Sequence, residues 1–184
     1  MRIGFDLDKV FVNYPPLVPY FVIDRLSKKP TKDLNYRFPG KIEKKIRIWS
    51  HGIKLRPPIQ TNIDILKKLS QNKELDLYLI SGRYGFLKKR TLEWFKKYHM
   101  EQYFKRIYFD YENEQPHLWK NKILRQLQIE KYIDDDLELL LYLAEHNPEI
   151  HFYWLTKTTL NSKAFLLPNV TSIKNLLEFQ KKYL

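Results

Sequence analysis

Short runs of branched and aromatic residues recur along the chain with amphipathic stretches between them, and this alternation restricts the fold more than any other feature. RIGFDL (2–7), LDLYLIS (75–81), RIYFD (106–110), EKYIDDD (130–136) and IHFYWLT (150–156) read as strands, rich in the residues that buried parallel strands carry. Between them TNIDILKKLSQ, FLKKRTLEWFKKYHM, WKNKILRQLQI and LELLLYLAEH repeat their apolar residues at helical intervals, and SIKNLLEFQKKYL reads as a closing helix. Such alternation predicts an α/β fold, a Rossmann-like parallel sheet with right-handed crossovers and flanking helices. With 184 residues, 43% of them hydrophobic, the chain has material for one core and is not expected to be mainly disordered.

One stretch interrupts the pattern. Residues 12–58 hold prolines at 15, 16, 19, 30 and 39 and aromatics at 14, 20, 21, 36, 38 and 49. PPLVPYFVIDRL has helix-like spacing at Leu17, Tyr20 and Phe21, so the stretch reads as an insertion with some helix, dividing a core of 1–11 and 59–184. It also concentrates the charge. From Asp24 to Arg56 there are eleven basic residues against three acids, +8 of a net +12. An excess so placed is either a solvated face or a surface for an anion such as a phosphate ester, a nucleotide or nucleic acid. Tyr14, Tyr20 and Trp49 would stack on a base or form the insertion's own small core.

Several chemistries are excluded. The chain has no cysteine, so disulfides, thiolate metal sites and cysteine nucleophiles are absent, in keeping with a reducing cytoplasm. Its five histidines lie far apart, without the spacing of a zinc site. No run approaches the roughly 18 apolar residues of a membrane span. The opening MRIGFDLDKVF carries two acids in its apolar stretch and reads as neither leader nor anchor.

The polar residues that remain gather at strand ends. In an open parallel sheet, ligands bind beyond the carboxyl ends of the strands. There stand Asp6 and Asp8, then Ser81, then Asp134, Asp135 and Asp136. Single acids at such places often cap the next helix, as Asp136 would cap LELLLYLAEH. Four or five together repel one another unless a cation sits among them, and oxygen-only ligands select a hard ion, Mg²⁺ above all.

In these residues the chain resembles the haloacid dehalogenase-like (HAD) hydrolases. FDLDKV is similar to the family's first motif, D-x-D-x-T/V. LYLISGR is similar to the second, and YIDDD to the fourth. Lys120, opening K-x-x-I-L-x-x-L-x-I-x-x-Y-I-D-D, fits the third, with Lys122 as its competitor. The motifs occur in the family's order and span nearly the whole chain. The resemblance implies a Mg²⁺-dependent phosphomonoesterase in which Asp6 is the nucleophile and Asp8 the acid and base, its carboxyl raised by anionic neighbours. Ser81 and the backbone at Gly82 would hold the phosphoryl oxygens, and Lys120 would balance charge in the transition state. The ion would be held by Asp6, the carbonyl of Asp8 and an acid of the fourth motif, Asp135 in preference to Asp134.

Other positions are more open. Arg83 would either reach the substrate phosphate or solvate its loop. Lys9 stands where the family often has glycine, either pointing away or easing phosphate repulsion. Glu138 would replace in part an acid that the family often has further on. An insertion at 12–58 corresponds to the small cap that selects substrates in some members. LRPPIQTNIDILKKL followed by LYLISGR resembles the nucleotidase-like branch. The expectation is a phosphatase acting on a nucleotide or similar phosphate ester. The alternatives are a phosphatase of nucleic-acid ends, or a catalytically silent domain that binds nucleic acid or protein.

Overall fold

The computed structural model describes residues 1–14, 34, 36–157 and 167–184. Six strands form one sheet: β1 (Arg2–Phe5), β2 (Asp76–Ser81), β3 (Arg106–Phe109), β4 (Lys131–Asp134), β5 (His151–Leu155) and β6 (Val170–Ile173). Their order is β3-β2-β1-β4-β5-β6 and every neighbouring pair is parallel. The chain thus leaves β1 in one direction for β2 and β3, and returns to its other side for β4 to β6. The crevice of an open sheet lies at that switch, at the carboxyl end of β1.

Side-chain alternation divides the core into two layers. Leu77 and Leu79 of β2 and Ile133 of β4 face one way, onto α2 (Gln60–Ser70), α3 (Lys88–Tyr98) and α6 (Leu176–Tyr183). Tyr78, Ile80 and Tyr132 face the other, onto α4 (Pro116–Leu127) and α5 (Leu137–His146). Helices cover both faces, which is why the strands are apolar on both. Among the described residues, no helix is long and apolar enough to cross a membrane.

The sixth strand departs from the sequence reading, which ran a single helix from Ser172. Val170–Ile173 instead pairs with β5, placing Ser172 opposite Trp154 and Ile173 opposite Leu155. The helix starts only after Asn175, whose side chain accepts from Glu178 N at 2.9 Å. Four residues are too few to show a period, and the pairing that fixes them is tertiary. β1 is also shorter than expected. It ends at Phe5, and Leu7 to Val12 turn back on themselves through Phe11 N and Val12 N to Leu7 O.

The ends of the insertion are pinned together. Asn13 N donates to Pro57 O at 2.9 Å and Ile59 N to Phe11 O at 2.8 Å, so the chain leaves and rejoins the core at one point. Within it α1 (Lys41–Ser50) is helical and buries none of its residues. The helix expected at PPLVPYFVIDRL, together with Tyr20, lies outside the described residues. The aromatics that are described form no separate core. Phe38 packs against Tyr84 and Phe86 at centroid distances of 5.1 and 6.3 Å, and Trp49 is 69% exposed.

Gly4 connects the sheet to the chemistry beyond it. A Cβ there would stand 2.8 Å from Tyr132 Cδ2 and 3.2 Å from Ile80 Cδ1, both on fully buried side chains. Gly4→Ala is therefore expected to destabilise the fold by about 2 kcal/mol through overpacking. In urea unfolding this appears as a lower midpoint at unchanged slope. A midpoint equal to that of the wild type would mean that the Tyr132 ring has room to move.

Candidate active site

Because all strands are parallel, their carboxyl ends lie along one edge. Asp6 follows β1 there, Ser81 ends β2 and Asp134 ends β4, all three buried. Asp6 N donates to Ile133 O at 2.9 Å, extending the β1–β4 ladder and setting the two acids side by side. Each acid turns back on the chain that follows it. Asp6 Oδ2 accepts from Asp8 N at 2.8 Å and Asp134 Oδ1 from Asp136 N at 3.0 Å, the local bond that makes aspartate a turn former.

Lys120 closes the gap between them. Its Nζ lies 2.8 Å from Asp6 Oδ1 and 2.7 Å from Asp134 Oδ2, with 4% of its side chain exposed. Pro116 at the first turn of α4 pre-sets the helix that delivers it. Burial lowers the Lys120 pKa, but Asp134 and Asp6 more than reverse this and hold it well above its usual value. Lys122, its competitor in the sequence, is 65% exposed and lies 3.6 Å from Glu114. Gly82 belongs to the same cluster. A Cβ there would stand 3.3 Å from Pro116 Cβ, tight enough that the proline must give, and 3.9 Å from Lys120 Cε, an ordinary contact.

Asp6, Asp134 and Asp135 each offer a carboxylate oxygen, all within 4.8 Å of one another. Three hard oxygen donors at this spacing fit Mg²⁺ in chemistry and charge. Burial is the largest influence on Asp6. With Asp134 and Asp8 it outweighs Lys120 and pushes the carboxyl up to about 7. Burial and Asp134 likewise raise Asp135, against the pull of Lys9. A divalent cation would reverse both shifts. Asp136 takes no part in the trio. Its Oδ1 accepts from Leu139 N at 3.3 Å, capping α5 as expected, and its Oδ2 accepts from Tyr36 Oη at 2.9 Å. Glu138 is exposed in the first turn of α5 and is not a member either.

Asp8 departs from expectation. Its neighbours are cations. Arg83 Nε and Nη2 donate to Asp8 Oδ2 and Oδ1 at 2.8 and 2.6 Å, and Arg56 Nη1 lies 3.4 Å from Oδ1. Burial pushes the Asp8 carboxyl up, but Arg83, with Arg56 behind it, overcomes this and holds it well below the usual carboxylate range. The expected upward shift of Asp8 is thus reversed. Arg83 does not solvate its loop: it is 6% exposed and also donates to Thr91 Oγ1 at 3.2 Å.

Two side chains of the insertion, Arg56 and Tyr36, reach this edge, and neither had a role assigned from sequence. Arg56 is held by Ser50 O at 3.2 Å and by His51 Nε2 at 3.0 Å, and its carbonyl accepts from Trp94 Nε1 at 2.9 Å. Burial, with Arg56, keeps the His51 imidazole well below its usual pKa, hence neutral. Its Nδ1–H then points at Arg47 O, 2.7 Å away. Tyr36 ties the other side, with its backbone paired to the Gln115 side chain at 3.0 and 3.2 Å. In sequence Arg56 was one basic residue among eleven. Its place just before Pro57-Pro58, where the insertion rejoins the core, was the available signal.

Lys9 turns inward. Its φ is +56°, a left-handed conformation that glycine adopts freely and lysine rarely does. Its Nζ lies 2.6 Å from Asp135 Oδ2 and 4.9 Å from the centroid of Tyr14.

Comparison with known proteins places the fold. No protein-family model and no curated protein matches the chain. Among solved structures, a haloacid dehalogenase-like hydrolase from Streptococcus pneumoniae superposes with a TM-score of 0.62 at 19% identity, over 98% of this chain and 97% of that one. A HAD family enzyme from Bacteroides thetaiotaomicron, an aspartate-to-alanine variant in complex with magnesium and inorganic phosphate, gives 0.53 at 17% identity, over 90% and 98%. A chain of the Pnkp1/Rnl/Hen1 RNA repair complex gives 0.52 at 13% identity, over 86% of this chain and 43% of that one. The fold is that of the HAD-superfamily hydrolases.

Proposed function

We propose that the protein is a Mg²⁺-dependent phosphomonoesterase working through an aspartyl phosphate on Asp6. The observation that carries this reading is the convergence on Asp6. A buried lysine lies at 2.8 Å, and two further carboxylates stand close enough to share a cation. The neighbour bound to magnesium and phosphate supports it. When bound, the ion supplies positive charge to the phosphoryl oxygens. An Asp6 oxygen attacks phosphorus, the P–O bond to the alcohol breaks, and the departing oxygen takes a proton from Asp8. Water then attacks phosphorus, giving its proton to Asp8, and the bond to Asp6 breaks to release inorganic phosphate. Ser81 and the backbone at Gly82 bind the phosphoryl oxygens, and Lys120 offsets their growing charge.

Asp8 can work in both directions only if its hold by Arg83 and Arg56 relaxes. A phosphoryl dianion competes for the same guanidinium groups, so substrate binding itself raises the Asp8 carboxyl. Asp135 is the favoured acid of the fourth motif for the metal. Both Asp134 oxygens already accept hydrogen bonds, from Asp136 N and from Lys120 and Tyr132.

The substrate is a nucleotide or similar phosphate ester, with residues 12–58 acting as a small basic cap over the core. A nucleic-acid end is the second reading. It is favoured by the exposed Lys41, Lys45 and Trp49 on α1 and by the RNA-repair neighbour. A panel of phosphate esters, nucleotides and end-phosphorylated oligonucleotides separates the two. Phosphate release is expected to stop on chelation and to return with Mg²⁺ but not with Ca²⁺, whose looser shell spoils in-line geometry. Full activity in chelator, or none on any ester, would sink the phosphatase reading. A small ester should show KM rising modestly with salt. A bound oligonucleotide should weaken about 10²-fold or more between 50 and 200 mM salt if several phosphates are contacted.

A further inference from the structure

The tight turn that follows Asp6 fixes the backbone of Lys9. Lys9 N donates to Val12 O at 2.7 Å, and Phe11 N and Val12 N both return to Leu7 O. At φ +56° this position suits glycine, so the turn by itself gives no reason for a lysine. The side chain does. It delivers an ammonium 2.6 Å from Asp135 Oδ2 and 4.9 Å from the Tyr14 centroid, in a pair whose side chains are only 22% and 13% exposed. Sheltered ion pairs of this kind are screened far less than surface ones.

Asp135 is also one of the three carboxylates that stand within 4.8 Å of one another. Three carboxylates at that spacing repel one another as they ionise. Lys120 answers Asp6 and Asp134, and Lys9 answers Asp135. The cluster is thus largely neutralised by the chain's own cations. Resting on the metal reading above, we propose that Lys9 is an internal counter-cation for Asp135 that a divalent ion must displace, so that metal affinity is set by this competition. An ion bound at Asp135 with Lys9 still in place would meet a like charge a few ångströms away. Moving Lys9 aside gives up its ion pair. Either way the affinity is lower than the three carboxylates alone would give.

The test uses Mg²⁺ alone, titrated calorimetrically into metal-free protein without substrate. Lys9→Met removes the ammonium and keeps a side chain at the left-handed position. Lys9→Gly removes both the charge and the backbone conflict. Both variants are expected to bind Mg²⁺ about tenfold more tightly than the wild type, as expected for loss of a like charge in a partly buried site. Without metal, Lys9→Met should melt below the wild type, because Asp135 is left facing Asp134 without its cation. Saturating Mg²⁺ should close that gap. Lys9→Gly should fall between the two, because the backbone conflict is relieved. Equal Kd values in wild type and both variants, or weaker binding in the variants, would overturn the role of Lys9 while leaving the metal site standing. If neither wild type nor variant takes up Mg²⁺, the metal reading and this inference fall together.

Discussion

Asp6→Asn is expected to abolish Mg²⁺-dependent phosphate release, by about 10⁴-fold or more, because an amide cannot form the acyl phosphate. The fold should survive. Asparagine has the same size, and its oxygen can still accept from Asp8 N, the bond now made at 2.8 Å. The same variant tests the electrostatics. Burial lifts the Asp6 carboxyl to about 7 in the metal-free protein. A raised acid opposes folding progressively as pH climbs from its unfolded value through its folded one, and the penalty then persists. Metal-free Asp6→Asn should therefore melt no lower than the wild type at pH 8. Mg²⁺ should also stabilise the wild type more at pH 8 than at pH 5.5, since a protonated Asp6 is a poor ligand. Retention of a tenth of the wild-type rate would remove Asp6 from the nucleophile's role.

Removing the lysine between the two acids is expected to damage both chemistry and fold. Lys120→Met keeps most of the buried stem and deletes the ammonium that lies within 2.8 Å of both Asp6 and Asp134. Two buried carboxylates then face each other unpaired, a loss of about 3 kcal/mol. Activity should fall about 10³-fold, as charge on the phosphoryl oxygens goes unanswered. The two effects separate with pH. Lys120 has a raised pKa, so its contribution in the wild type is complete below its unfolded value and is lost only at strongly alkaline pH. Asp6, already raised by burial, regains neutrality first as pH falls, so the variant's stability deficit should narrow at acid pH while activity stays low. Lys122→Met is the control. That side chain is 65% exposed and its pairing with Glu114 is loose, so stability and rate should stay within about twofold of wild type. Equal losses in the two variants would reverse the assignment.

Much of this protein was legible in its residues because the signals are local. The β2 run DLYLIS and the α5 run LELLLYLAEH show their periods within one element, and Asp136 caps α5 through a bond three residues long. The strand-end acids were legible for a related reason. In a parallel sheet every strand delivers its last residue to the same edge, so element type alone puts Asp6 and Asp134 there, and the β1–β4 pairing then sets them side by side. The lysine came within reach only through the family resemblance, which points to a lysine on the helix ahead of β4, and burial alone separates Lys120 from Lys122.

What the sequence determined by itself, then, is the α/β sheet and the acids gathered at its carboxyl edge, because each follows from periodicity and strand direction, whereas the switch point at β1 needed the strand order. The tertiary structure alone decided the electrostatic state of those acids. Asp8 was expected to hold a proton because the acid/base role implied by the resemblance needs one and other acids gather at the same edge, yet Arg83 and Arg56, 75 and 48 residues away in sequence, pull it far the other way. The sixth strand was likewise a matter of pairing with β5, which four residues cannot announce. Lys9 looked like a departure from glycine until its left-handed backbone and its 2.6 Å contact with Asp135 were seen together. Backbone pattern is set by residues a few places apart, whereas a charge answers to whatever lies within a few ångströms, and only the folded chain determines which residues those are.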